Sequence, residues 1–326
     1  EEVRDRAQRL VARRRLSGLA PARLYLPDAS HALRVRRGEG VLAGAGVRTR
    51  GTGWHASLWA GYPFGSGRPE ARAELASSGS SGPSLTACLR CLADIGPFPA
   101  SSGVAATVSA LAGGGDYRDP WFRTGMTASW RLPLAGGGLL RVGGGWEKHG
   151  SASPVPGPQS GPDARPVRPI REGIGALLEA EADVPLGGAL GARWRARPEV
   201  EGATTALGDF GYGRALLRLE GRSPPPAEQA LSWHARLAAG AGSGRLPPQR
   251  LFLLGGRGTV PGYDFRAWGG DRFALAELGA AADVAPPWLR VRARVTAGWT
   301  GIGGVGREAA RRLGVAESGG IRPAAG

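Results

Sequence analysis

The stretch from Trp54 to Tyr62 reads WHASLWAGY. On an extended chain, successive side chains point to opposite faces. Trp54, Ala56, Leu58, Ala60 and Tyr62 then share one face, which is apolar with an aromatic at each end. His55, Ser57, Trp59 and Gly61 share the other. The same two-residue period returns along the chain. Met126, Ala128, Trp130, Leu132 and Leu134 alternate with Thr127, Ser129 and Arg131. Leu140, Val142, Gly144 and Trp146 alternate with Arg141, Gly143 and Glu147. Ile174 to Val184 alternates with Glu179, Glu181 and Asp183, and Leu190 to Ala196 with Arg193, Arg195 and Arg197. Trp233 to Ala241 and Val291 to Trp299 follow the same rule.

Strands of soluble proteins usually run about 5–6 residues, and these alternating runs are longer. Runs of about ten residues with an aromatic-ended apolar face are the mark of strands that cross a bilayer in a closed sheet. The fold class read from the pattern is all-β: an antiparallel transmembrane β-barrel, with about twelve to fourteen strands between residues 31 and 300. AGGG (135–138) and PLGG (185–188) read as tight hairpin turns. Residues 149–170 and 77–103 read as long polar or Pro/Gly-rich connections. Short turns at one end and long loops at the other suit a barrel.

Composition narrows the alternatives. Glycine (56) and proline (26) make up about a quarter of the 326 residues, yet ten tryptophans argue against disorder. The formal net charge is +15, and Lys148 is the one lysine, so the positive charge is nearly all arginine. Such a chain either presents a basic surface to nucleic acid or anionic lipid, or lines an interior with arginine. The hairpin 174–184/189–197 decides. It is expected to set Glu179, Glu181 and Asp183 against Arg193, Arg195 and Arg197 on the polar face. Opposed charges across strands stabilise by a few tenths to about 1 kcal/mol each, whereas charge facing lipid is costly. The arginines are therefore expected in the lumen, and nucleic acid is not an expected partner.

Few motifs suggest chemistry. His31, His55, His149 and His234 lack metal-ligand spacing, so no metal site is expected. No G-x-S-x-G elbow is present. GIGGVG (301–306) fits G-x-G-x-x-G, but too little chain follows for a βαβ unit, so it reads as a glycine-rich loop before a short helix. No cofactor and no enzymatic activity are expected. Cys88 and Cys91 read as incidental loop cysteines or as a local disulfide. Asp116–Gly125 (DYRDPWFRTG) reads as a loop re-entering a strand.

One stretch remains. Gly255 to Arg272 reads GGRGTVPGYDFRAWGGDR. GG-x-x-TV-x-GY, followed by GG before the last strands, resembles the signature of the BamA/TamA-like outer-membrane assembly superfamily, the bacterial surface antigens. Gly255, Gly256, Val260, Gly262 and Tyr263 carry the match. In that family the segment folds back into the barrel, and an arginine in V-R-G-[YF] meets an acidic motif on the inner wall. Here Pro261 stands at that position, leaving Arg257 or Arg266 to supply the charge. LRVRRGEGVLAGAG (33–46) resembles the family's first barrel strand through Arg37, Glu39 and Gly40.

The resemblance implies a barrel of sixteen strands. Residues 1–30 then form a charged helix (1–16) and a lead-in from a truncated periplasmic region. Residues 31–326 form the barrel short of its closing strand or strands, with GGIRPAAG beginning a closing strand. A barrel so shortened has two unpaired edges, each backbone group costing several kcal/mol in lipid, so the chain alone is not expected to be a stable membrane protein. The implied function is insertion or translocation of proteins or lipids at the bacterial outer membrane. Implied partners are outer-membrane lipid, unfolded outer-membrane proteins and periplasmic accessory proteins. The alternatives are a passive channel with an arginine-rich, anion-favouring lumen, and a membrane anchor for an upstream hydrolase domain.

Overall fold

The computed structural model describes residues 22–98, 103–112, 117–157, 166–223, 231–285 and 288–325. The helix expected over 1–16 lies outside them. Within the lead-in, β1 (Ala22–Leu24) is already part of the sheet, pairing with β3 (Gly40–Gly51).

Fifteen strands form one antiparallel sheet. After β1 come β2 (Leu33–Arg36), β3, β4 (Trp54–Pro63), β5 (Glu70–Ser77), β6 (Gly82–Asp94), β7 (Pro120–Leu134) and β8 (Gly138–Ser151). Then follow β9 (Gly173–Ala189), β10 (Ala192–Gly208), β11 (Tyr212–Arg222) and β12 (Leu231–Gly244). A separate two-stranded ribbon, β13 (Phe252–Leu254) with β14 (Trp268–Gly270), interrupts the series. The large sheet resumes with β15 (Arg272–Ala285), β16 (Leu289–Gly301) and β17 (Arg322–Ala325). Each strand pairs with its neighbour in sequence; β1 and β2 both line β3, as two halves of one broken strand. The sheet does not close: β17 is not hydrogen-bonded to β1 or β2.

The side-chain period sets the two faces. Leu58 is 51% exposed and Trp59 is 2% exposed. Trp54, Tyr62, Met126, Trp130, Trp146, Leu178, Leu237, Val291 and Val295 all project outward. An apolar outer surface this extensive marks contact with lipid rather than water. Trp59 lies flat on the inner wall, where its ring covers the floor left by two glycines. A Cβ on Gly44 or Gly61 would sit 2.6 or 2.7 Å from that ring.

The inner face is polar toward β3–β9, where His55, Arg72, Glu74, Thr86, Thr127 and Arg141 line a cavity of about 340 Å³. Toward β10–β16 the interior is filled. Leu216, Ala238, Phe273 and Leu275 of the wall pack on Phe252, Leu254 and Val260. Tyr212 and Leu177 pack with Leu246, Leu251, Leu253 and the helix α2 (Arg307–Leu313). The helix α1 (Gly103–Leu111) lies on β2, where Arg36 donates to the Gly103 carbonyl at 2.8 Å and to Thr107 Oγ1 at 3.3 Å.

The connections 52–53, 78–81, 135–137 and 190–191 share one end of the sheet. The long ones (95–119, 152–172, 245–271, 302–321) share the other.

Four local expectations are corrected. Residues 77–103 are not one loop, because β6 runs through them. Its alternation is hidden by short side chains and by a bulge between Cys88 and Cys91, where Arg90 takes φ 53°. The two cysteines therefore lie on a strand, joined by a disulfide across the bulge. The β9–β10 turn is not PLGG but Leu190-Gly191, both at positive φ (54° and 68°), as a two-residue hairpin turn requires. Finally, 33–46 is not one strand. Arg37–Glu39 form the turn between β2 and β3, and Gly40 at φ +75° could carry no Cβ without meeting the Gly65 backbone at 3.0 Å.

Candidate functional site: an inward loop locked to the wall

The segment between β12 and β15 does not stay at the rim but enters the barrel. Its apolar residues explain the entry: Leu251, Phe252, Leu254 and Val260 are fully buried. The loop tip is a folded unit. Thr259 Oγ1 accepts from Gly255 N (2.9 Å) and donates to Gly255 O (3.1 Å). Gly255 (φ +116°) and Gly256 (φ +85°) pass close under 264–267, where a Cβ would lie 2.4 Å from Asp264 O or 3.0 Å from Phe265 Cα. No residue with a side chain fits there.

Two polar anchors fix the unit to the wall. The first is Arg266, 2% exposed. It donates to Asp94 Oδ1 (2.8 Å) and Oδ2 (2.7 Å), at the end of β6, and to Asp119 Oδ2 (2.7 Å), just before β7. Burial opposes its charge, and the two carboxylates more than offset this, so its pKa lies above the ordinary arginine value. Arg168 donates to the Arg266 carbonyl (3.1 Å) and lies 3.7 Å from Asp119. Arg37 donates to the Arg118 carbonyl and stands 3.9 Å from Asp119. The β2–β3 turn, the β6–β7 loop and the inward loop thus meet at one carboxylate.

The second anchor is Gln249-Arg250. The Gln249 amide is oriented by backbone: its Oε1 accepts from Arg171 N (3.1 Å), and its Nε2 donates to Arg171 O (2.8 Å). Nε2 therefore also donates to His149 Nδ1 (2.9 Å), which makes Nδ1 the acceptor and leaves the proton on Nε2, 3.3 Å from Glu147. Arg250 Nε lies 2.8 Å from Glu201 Oε1, and Tyr212 and Arg214 complete that carboxylate's partners.

The sequence-derived site residues are distributed as follows. Of the two arginines open to the role, Arg266 reaches the acidic wall, while Arg257 is exposed and offers its carbonyl to Arg294 (3.0 Å). Val260 is buried against Leu254 and Leu275. Pro261 and Gly262 (φ +83°) form the tip. Tyr263 packs edge-on against Trp268 and donates to Pro323 O of β17 at 3.2 Å, tying the loop to the last strand. Glu39 is fully buried, chelated by Arg34 at 2.7 and 2.8 Å; Arg34 also reaches Glu70 at 2.5 Å.

The charge ladder is corrected in register. Glu179 faces Glu201 and Glu181 faces Glu199 across β9–β10, because Leu186 is an extra residue on β9 and the turn comes later. Glu179 and Glu181 pair instead with Arg141 of β8 (3.3 and 3.0 Å), while Asp183 takes Arg195 (2.8 Å) and Arg197 (3.5 Å). Arg193 has no ion-pair partner among the described residues. All six groups line the inner face.

Sequence reading missed Asp94, Asp119, Arg168, Gln249, Arg250 and Glu147. The available signal was the placing of charged residues at strand ends on the inward parity. In the glycine-rich GIGGVG, Gly303 N and Gly306 N donate to Asp271 at 3.0 and 2.7 Å. Among the described residues no cluster of His, Cys, Asp and Glu is grouped to hold a metal.

No protein-family model matches the sequence, and no curated protein matches it. Two solved structures are similar. BamA from Haemophilus ducreyi lacking POTRA domains 1-3 aligns over 90% of this chain at 14% identity with a TM-score of 0.55. CdiB from Acinetobacter baumannii aligns over 80% of this chain and 46% of its own at 13% identity, TM-score 0.42. The chain covers 62% of the BamA structure. The fold is that of a BamA-like barrel.

Proposed function

We propose that this chain is the barrel of an outer-membrane protein of the BamA type that helps insert or translocate polypeptides. The observation that supports the reading is the inward loop. Its apolar core and its two polar anchors fill the interior on the β10–β16 side, which suits a gated assembly barrel rather than an open pore. The open sheet and the contact from Tyr263 to β17 couple that loop to the edge where strands end. On this reading the role is non-enzymatic. The partners are outer-membrane lipid and unfolded outer-membrane proteins, with periplasmic accessory proteins at the short-turn end.

The experiment is reconstitution of the full-length protein in liposomes with a urea-denatured outer-membrane barrel. Formation of the heat-modifiable folded substrate is the readout. An acceleration of at least about tenfold, equivalent to 1.4 kcal/mol of barrier, supports the reading. A second reading, an anion-favouring passive channel, draws on the lumen arginines. A large, steady anion conductance without any acceleration of insertion would replace the first by the second.

A further inference from the structure

At the short-turn end, the inner faces of β10, β11, β15 and β16 carry more arginine than their carboxylates neutralise. Arg290, Arg292 and Arg294 occupy alternate, inward positions on β16, opposite Asp283, Ala281 and Gly279. Arg193 and Arg222 face each other directly across β10–β11. Like charges in that position destabilise a sheet. Arg193 and Arg292 have no hydrogen-bond or ion-pair partner among the described residues. Arg222 is 78% exposed and lies only 3.5 Å from Glu220. Glu277 is shared by Arg236 (3.1 Å), His234 (3.1 Å) and Arg294 (4.0 Å), and Asp283 lies 3.5 Å from Arg290. Arg222 and the three β16 arginines border a cavity of about 840 Å³ that opens at this end.

We propose that this mouth docks an extended acidic segment of a polypeptide, with carboxylates at alternate residues. The spacing selects the ligand. Side chains two residues apart on a strand stand about 6.7 Å apart, so the β16 row matches the same-face repeat of a second extended chain. Guanidinium forks bind carboxylates in two parallel hydrogen bonds. Glu277 and Asp283 lie between the arginines, so a continuous polyanion would be pressed against them. A chain with neutral residues between its acids would not. The arginines share the face of Gly279 and Thr296, away from the apolar outer surface, which turns the site from lipid headgroups toward the lumen. The choice of a polypeptide as occupant rests on the function proposed above.

The test measures binding of a fluorescein-labelled peptide of alternating Glu and Thr to the full-length protein in detergent micelles, at about 50 mM salt so that screening stays weak. Saturable binding is expected, at least about tenfold tighter than for the Gln-Thr counterpart and weakening as salt rises. The double change Arg292→Ser/Arg294→Ser is expected to lower affinity about tenfold or more. Arg311→Ser/Arg312→Ser, which removes equal charge from the exposed side of α2, leaves it unchanged. Heat-modifiability checks that both variants are folded. Equal binding of the Glu and Gln peptides, equal loss in both double variants, or tripolyphosphate binding where the peptide does not, would overturn the proposal. The two readings separate: insertion activity with no peptide binding removes the dock alone, and peptide binding without insertion activity leaves the dock standing.

Discussion

Replacing Arg266 by alanine is expected to free the inward loop while the barrel wall stays folded. The side chain makes three charge-assisted hydrogen bonds, two to Asp94 and one to Asp119, from a site 2% exposed. Breaking a buried pair from one side costs about 3–5 kcal/mol, because the partner's charge stays buried. Two features hold the cost to the lower end: Asp94 keeps 17% exposure, and Asp119 keeps Arg168 at 3.7 Å and Arg37 at 3.9 Å. Alanine also retains the positive φ of 53° at this position, so the change reports the guanidinium rather than the backbone. About 3 kcal/mol corresponds to a rise of roughly a hundredfold in loop opening. Hydrogen exchange of the Phe252–Leu254 amides, which lie in the ribbon with Trp268–Gly270, reads this directly. Adding Asp94→Asn and Asp119→Asn to the variant should cost less than the same changes in the parent, since the uncompensated charge is then gone. Exchange within about threefold of the parent, less than 1 kcal/mol, would refute the claim that Arg266 locks the loop.

Three further outcomes follow from the same geometry. Gly256→Val forces a β-branched residue to φ +85° and its Cβ to 3.0 Å from Phe265 Cα; loop protection should fall by at least about 2 kcal/mol, with the wall amides of β7–β8 unaffected. Gln249→Glu sets an acceptor against the Arg171 carbonyl and His149 Nδ1, both of which take a donor now. Two buried mismatches at about 1–3 kcal/mol each should appear as faster exchange at Leu251–Leu254. Cys88→Ser/Cys91→Ser removes a link closing only three residues of sequence, so thermal unfolding should show a loss of no more than about 2 kcal/mol.

The parity of the strands was legible because lipid on one side and charge on the other impose a strict two-residue period. Leu58 outward and Trp59 inward follow from that alone, as do Met126 and Thr127. Register was not legible, because one extra residue, Leu186, and a turn at 190–191 instead of 185–188 change the β10 partners of β9 while leaving the faces unchanged. β6 escaped notice because Ser84, Thr86 and Cys88 contrast little with Ala87, and the bulge at Arg90 breaks the count. The site stood out as a glycine-rich loop, and only the family resemblance suggested that it folds inward; its lock was not legible. Arg266 meets carboxylates 172 and 147 residues away in sequence, and no local pattern encodes such a contact. Gln249 is similar: an uncharged residue whose role comes from the backbone of Arg171 and the imidazole of His149.

The central claim is that the apolar face meets lipid while the arginine face meets water. Spin labels on single cysteines introduced at Leu58, Leu178 and Leu237, and at Thr127 and Arg195, test it in reconstituted bilayers. The account predicts relaxation by oxygen, but not by a water-soluble nickel chelate, at the three leucine positions, and the reverse at Thr127 and Arg195. Nickel-accessible labels at Leu58 and Leu237, with oxygen-accessible labels at Arg195, would contradict it.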